Sequence, residues 1–295
     1  MAKPDSAVSS SGEVEPAAGL ESLERLGELV SAAGSVFALS GAGCSTGSGI
    51  PDYRDGNGEW KRSRPVLFQD FVRSVGVRRR YWARSMVGWA RVGRAQPNAA
   101  HLALAAMERA GRVRNVVTQN VDGLHQRAGS RRVIDLHGRL DRVECLGCGV
   151  SLPRDGFQQE IIARNPGWQT ASAGAAPDGD ADLEGVDFDG FDVPECRQCG
   201  GVLKPSVVFF GENVPRPRVD LAMERLARSD LLLVLGSSLM VWSGYRFVRA
   251  AVARGIPVAI INRGRTRGDS ECAVKLDADC GEALSVLQEG LCCEQ

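Results

Sequence analysis

Four of the nine cysteines in this 295-residue chain form two tight pairs, Cys145-x2-Cys148 and Cys196-x2-Cys199. Two knuckles of this spacing supply four thiolates to one tetrahedral zinc ion. Four protein ligands leave no open coordination position, so the expected ion is structural, with Cys145, Cys148, Cys196 and Cys199 as its ligands. An odd cysteine total with two such pairs fits metal binding in a reducing compartment better than a disulfide framework.

A second kind of chemistry is written in Gly41-Ala42-Gly43, which follows a short apolar run. Small residues at such a turn let backbone amides approach a pyrophosphate. Thr46 stands where G-x-G-x-x-G has its third glycine, so the match is partial, and a tight turn without a ligand is the competing reading. There are three histidines. His101 lies on an Ala/Leu helix face, where packing is the default role. His125 and His137 each follow a polar strand end, and either is the residue type for a general base near neutral pH. Spacing does not choose between them. In Gln119-Asn120-x-Asp122, an amide and a carboxylate are placed to orient a carboxamide and a ribose, or to form an Asx-type turn. Tyr81 and Arg84 share a helix face at i, i+3 spacing. A phenol beside a guanidinium can bind a carboxylate; the alternative is a solvated Arg beside a core Tyr.

The elements that must position these residues alternate. Residues 20–33 carry leucines at helical spacing and stop at Gly34; residues 35–39 form a short buried strand. Residues 56–95, rich in Arg and aromatics, suggest a helical insert. Asn98 is suited to cap a helix that ends at Gly111. Strands are expected at 113–117, 133–136, 207–210, 231–235 and 256–261, with helices near 218–228 and 245–254. Apolar strands alternating with helices imply a buried parallel sheet. The fold class is therefore α/β: a Rossmann-like, doubly wound parallel sheet, with a smaller inserted zinc-binding module. The expected division is a tail at 1–19, a dinucleotide-binding domain at 20–140 and 203–290, and the zinc module at 141–202, whose Ala/Gly/Asp-rich middle (170–192) is a loop. Ligands of such sheets bind at the carboxyl ends of the strands, where these polar segments gather.

Composition narrows the function classes. The formal net charge is zero, which argues against an obligate nucleic-acid binder. No apolar run reaches the ~20 residues of a membrane helix. Residues 1–19 have neither the apolar core of a secretory signal nor the arginines of a transit peptide, so a cytoplasmic protein is expected.

Taken together, the segments GAGCSTGSGIPDYRD (41–55), TQNVDGLH (118–125), LHG (136–138), both CxxC pairs, KPSVVFFGE (204–212), GSSL (236–239) and IN (261–262) resemble the sirtuin (Sir2) family over residues 30–285. PDYR, RYWARSMVGW (80–89), GSRR (129–132) and SGYRF (243–247) resemble its class II branch, which includes the fourth human, mitochondrial sirtuin; a bacterial member is expected. The resemblance implies that His137 is the general base, with Asn120 and Asp122 beside it. It places Gly41, Ala42, Gly43, Asp52, Tyr53 and Arg54 in the cofactor loop, and Gln119, Asn120 and Asp122 around the nicotinamide and its ribose. Gly236, Ser237 and Ser238 would meet phosphate and ribose. Asn262, Arg263, Gly264 and Cys280 would meet the adenosine end. Val208, Phe209, Gly211 and Glu212 would grip an acyl-lysine peptide.

The implied activity is NAD-dependent removal of an acyl group from protein lysine, with NAD as co-substrate and nicotinamide and O-acyl-ADP-ribose as products. The implied partners are acyl-lysine proteins or peptides. Tyr81 and Arg84 match the spacing by which another sirtuin branch recognises acidic acyl chains, so longer or acidic acyl groups are expected over acetyl. Two alternatives stay open: mono-ADP-ribosylation of a protein, and an NAD-sensing interaction protein without useful catalysis.

Overall fold

The computed structural model describes residues 16–61, 65–168, 174–175, 181–182 and 186–293. Its larger sheet has six parallel strands in the order β11-β10-β9-β1-β2-β3. These are β1 (Val36–Ser40), β2 (Val113–Thr118), β3 (Val133–Asp135), β9 (Leu231–Leu235), β10 (Val258–Ile261) and β11 (Val274–Leu276). β1 lies at the centre, and the chain winds outward from it in both directions, the doubly wound pattern expected from the apolar strands.

Both faces of this sheet are covered, and the strands show it residue by residue. Val36 and Ala38 of β1 join Leu26, Val30, Leu104, Met107 and Leu284 on one face. Phe37 and Leu39 join Leu226, Phe247, Val248 and Ala251 on the other. A strand turns successive side chains to opposite faces, so two buried faces demand an unbroken apolar run. The covering helices are α1 (Pro16–Ala32), α4 (Ala99–Arg109) and α9 (Cys280–Cys293) on the first face, and α7 (Arg216–Leu226) and α8 (Trp242–Val252) on the second.

A smaller antiparallel sheet, ordered β5-β4-β8, carries the cysteine pairs. It consists of β4 (Gly138–Cys145), β5 (Ser151–Pro153) and β8 (Leu203–Val207). Helices α2 (Phe68–Arg73), α3 (Val75–Arg94) and α6 (Arg154–Arg164) pack with it around Trp82, Val143, Phe157, Ile161 and Phe191. A two-stranded ribbon, β6 (Gly174–Ala175) with β7 (Ala181–Asp182), a short helix α5 (Leu124–Arg127) and 3-10 turns at Ala42–Cys44, Thr46–Ser48 and Pro166–Trp168 complete the elements among the described residues.

Several expectations shift. Helix α1 begins at Pro16, inside the expected tail, and residues 1–15 lie outside the described residues. The insert is helical only from Phe68 onward. The strand expected at 207–210 is instead β8, and Phe210 makes only an isolated bridge to Leu67. The small sheet runs from Gly138 to Val207, past both limits expected for the zinc module. Much of the 170–192 loop lies outside the described residues.

Candidate active site

The winding order of the sheet reverses at β1, between its parallel neighbours β2 and β9, and the turns beyond β1 and β9 meet there. Gly41 N–H donates to Leu235 O (2.9 Å) and Gly43 N–H to Gly236 O (2.8 Å). The contact leaves no room for side chains. Gly236 has φ +57°, and a Cβ on it would lie 2.2 Å from the Cys44 nitrogen. Only glycine takes that conformation without strain. The turn Ala42–Cys44 is thereby fixed with its backbone at the mouth of the crevice.

The end of β2 supplies the polar floor. Asn120 donates from Nδ2 to Gly41 O (3.0 Å) and to Ser45 Oγ (2.9 Å). Ser45 Oγ donates to Asp122 Oδ2 (2.7 Å), and Asp122 Oδ1 accepts from Leu124 N–H (2.9 Å). Asp122 thus makes the Asx turn that starts α5 and still serves the β1 turn. Ala42, Ser45, Tyr53, Asn120 and Asp122 line a common small pocket with Ile50, Pro51 and Leu140.

The three histidines have different fates. His101 and His125 are sealed, at 0% and 1% exposure, with ring centroids 4.7 Å apart beneath the Cys44 turn. His101 completes a capping box with Asn98 at the start of α4, and Asn98 Nδ2 donates to Cys44 O (2.8 Å). His125 Nε2 meets Ser40 Oγ at 2.7 Å. Burial pulls their pKa values down from 6.5 to about 4 for His101, opposed by Asp122, and to about 3 for His125, aided by His101. Both are neutral packing groups.

His137 is half-buried at the end of β3 and reaches the crevice. Its Nδ1 lies 2.9 Å from Gln119 O and its Nε2 2.9 Å from Ser243 Oγ. A carbonyl only accepts, so Nδ1 carries the hydrogen and Nε2 is bare. Desolvation lowers the ring pKa from 6.5 to about 4, against the raising effect of the Gln119 hydrogen bond, with Arg218 and Arg246 adding to the lowering. At neutral pH this is an uncharged base whose Nε2 lone pair faces Ser243 Oγ.

The remaining predicted residues surround this centre. Arg54 stacks over Trp60 at 4.0 Å and donates to Gly58 O (2.6 Å). Tyr53, Trp60 and Phe210 form an edge-to-face triangle with centroids 5.5–6.0 Å apart. Asp52 pairs with Lys61. Ser237 Oγ donates to Gln119 Oε1 (2.7 Å), and Arg267 N–H reaches Ser238 O (2.9 Å). At the far end, Asn262 Nδ2 donates to Arg263 O (2.7 Å) and Arg265 N–H to Gly56 O (2.9 Å), which ties this loop to the Arg54 loop. Gly264 N–H is held by Asp277. Cys280 starts α9 buried, its thiol pushed up to about 12 by burial and Asp279. On the opposite side, Val208 N–H donates to His137 O (2.7 Å), Phe209 N–H donates to Glu212 Oε2 (2.8 Å), and Gly211 O accepts from Gln69 (3.1 Å). Tyr81 is half-buried and packs on Phe209 and Phe71 at 5.1 and 5.4 Å; Arg84 lies one helical turn further along α3.

The four paired cysteines converge away from the crevice. Their sulfurs all lie within 4.8 Å of one another, with Cys145–Cys199 at 3.5 Å and Cys148–Cys196 at 3.7 Å, and none is in a disulfide. Gly147 N–H points at Cys145 Sγ (3.3 Å), and a Cβ on Gly201 would fall 2.9 Å from that sulfur. This cradle fits one structural zinc ion. The zinc would join the two knuckles, leaving the crevice chemistry to other residues.

Sequence reasoning passed over Ser243 as a site residue. It lies 106 positions from His137, and a lone serine after a tryptophan carries no signal of its own. Lys204 lies within the KPSVVFFGE segment, where a single lysine carries no signal of its own. It is 1% exposed, paired with Glu144 (3.2 Å) and Glu212 (3.3 Å) behind the Val208–Glu212 segment.

The Sir2 family model matches residues 41–243. The NAD-dependent protein deacetylase of Xanthomonas campestris pv. campestris (strain 8004) is 58% identical over 264 residues, 90% of each chain. NAD-dependent protein deacetylase 2 of Bradyrhizobium diazoefficiens is 57% identical over 252 residues, 85% of this chain and 92% of its own. A solved structure described as "Sir2-p53 peptide-NAD+" superposes with a TM-score of 0.74 at 30% identity, covering 92% of this chain and 99% of that one.

Proposed function

This chain belongs to the Sir2 family, and from that premise we propose how its crevice works as that of an NAD-dependent protein deacetylase. It removes acyl groups from protein lysine, with NAD as co-substrate. NAD supplies the ribose that receives the acyl group and releases nicotinamide.

The observation that carries our assignment of roles is the state of His137: a neutral ring with Nδ1 donating to Gln119 O and Nε2 unprotonated against Ser243 Oγ. Such a nitrogen can take a proton from a ribose hydroxyl and so activate it toward the acyl carbon. We assign Asn120 and Asp122 to hold the nicotinamide and its ribose. The Gly41–Cys44 turn, with Asp52, Tyr53 and Arg54, would hold the pyrophosphate region, and Gly236–Ser238 with Asn262, Arg263, Gly264 and Cys280 the adenosine half. Val208, Phe209, Gly211 and Glu212 would receive the peptide.

We assign the chain to the class II branch on the segments PDYR, RYWARSMVGW and SGYRF. The acyl preference proposed with that branch is for longer or acidic chains, with Tyr81 and Arg84 as its determinants. Its support is the packing of Tyr81 on Phe209, next to the residue that bonds His137. No helix among the described residues is long and apolar enough to cross a membrane. We propose a cytoplasmic location, supported by the free thiols of the described cysteines.

The test is a panel of acetyl- and acidic-acyl-lysine peptides incubated with NAD and either wild type or His137→Ala. The variant is expected to lose about 10²-fold or more in turnover on every peptide. Equal turnover would remove His137 from the role. An acyl preference unchanged by Arg84→Ala would end the acidic-chain reading, and peptides that gain ADP-ribose instead of losing acyl would replace deacylation by transfer.

A further inference from the structure

We propose that Ser243 is a positioning residue for His137, donating its hydroxyl hydrogen to the bare Nε2 and holding that lone pair toward the crevice until a ribose hydroxyl replaces it. The inference rests on the reading of His137 as the base.

Tautomer and direction follow from the partners. Gln119 O can only accept, so the single ring hydrogen of neutral His137 sits on Nδ1. The contact of Nε2 with Ser243 Oγ at 2.9 Å must then run from hydroxyl to ring. Burial and the neighbouring cations keep the ring neutral against the raising effect of the Gln119 hydrogen bond. Arg218 of α7 and Arg246 of α8 both oppose an imidazolium, and the first turn of α8 presents the positive end of its dipole.

Ser243 is the second residue of α8, and that turn is locked to the residue on the other side of the imidazole. A Cβ on Gly244 would lie 2.7 Å from Gln119 Nε2, so α8 packs directly on the Gln119 side chain. Ser237 Oγ fixes the same side chain from the turn after β9 (2.7 Å), and Gln119 N–H donates to Ser40 O (2.9 Å). The ring is therefore clamped between a carbonyl and a hydroxyl whose separation is set by packing.

Ser243 is half-buried, so its hydroxyl can be exchanged for another. Swapping one O–H donor for another on Nε2 conserves the number of hydrogen bonds and leaves no buried nitrogen bare. The substrate hydroxyl then arrives at the atom that accepts its proton, along a direction Ser243 has already defined.

The experiment compares wild type, Ser243→Ala, Ser243→Thr and His137→Ala as zinc-loaded full-length proteins. Ser243→Ala is expected to lower kcat about tenfold, the scale of one hydrogen bond, with KM for NAD nearly unchanged. Loss of a donor to the neutral ring also raises the ring pKa, so the acid limb of kcat/KM moves to higher pH. Ser243→Thr restores both. Long-range 1H–15N spectra of the free proteins read the ring directly: Gln119 O keeps the Nδ1–H tautomer in both proteins, and the Nε2 resonance moves in Ser243→Ala because its hydroxyl donor is gone. A Ser243→Ala enzyme with wild-type kcat, acid limb and Nε2 resonance overturns the proposal. If His137→Ala is inactive in that case, the base reading stands without Ser243; if His137→Ala keeps its turnover, both fall.

Discussion

The backbone N–H of Val208 donates to the carbonyl of His137 across 2.7 Å. One hydrogen bond thus joins the residue proposed as the base to the segment proposed to receive peptide. The link depends on Gly138, which has φ +83° and whose Cβ would lie 2.1 Å from Ser206 O. Gly138→Ala should force β4 from β8 and misplace the His137 ring. The expected result is a loss of stability of about 1–3 kcal/mol or more in urea unfolding, with a fall in kcat. Wild-type stability and kcat would show that this approach is not needed.

Lys204 supports the same segment from behind. Its ammonium is buried, while Glu144 and Glu212 remain partly exposed, so solvent screens the pair. Lys204→Met leaves Glu212 without its cation next to Phe209 N–H. A destabilisation of about 1.5–3 kcal/mol is expected, the scale of a hydrogen-bonded charge, with a raised KM for peptide and little change for NAD. A KM change confined to NAD would contradict the placement.

Zinc should hold the small sheet together. Wild type is expected to contain one zinc per chain by elemental analysis. Cys148→Ser should lose it and melt at lower temperature, because binding energy at a structural zinc site is folding energy. Full metal content and unchanged melting in the variant would remove the assignment.

Acid should weaken the fold through its sealed histidines. His101 and His125 titrate near 4 and 3 when folded, against 6.5 when free. Above pH 6.5 neither state binds the protons, and the fold has its full stability. Between 6.5 and about 4 the unfolded chain binds protons that the fold refuses. Stability then falls by up to about 1.4 kcal/mol per pH unit for each ring. Thermal melting at pH 7, 6 and 5 should show this decline, with a shallower slope in His125→Asn. A flat profile would mean that the rings are already charged or exposed.

The sheet was legible because strands buried on both faces must be apolar throughout, as Leu231–Leu235 is. Helix α6 was not, because the buried Arg154 reads as a surface residue. Its guanidinium lies 5.2 Å from the Trp82 ring and donates to Ser85 O (3.1 Å), a partnership made by tertiary packing. Strand β8 is hidden from the apolar pattern for a similar reason, since the buried Lys204 interrupts it. Within the site, pattern alone left His125 and His137 equivalent. Their environments differ because β1 covers one with Ser40 while the other reaches the crevice beside Ser243, and neither contact is local in sequence.

The most direct measurement follows nicotinamide release and acetyl loss together, in one reaction of wild-type protein with NAD and an acetyl-lysine peptide. The account predicts that the two rise in one-to-one ratio and that neither proceeds without its co-substrate. Acetyl loss without NAD, or nicotinamide release with the peptide left acetylated, would contradict it.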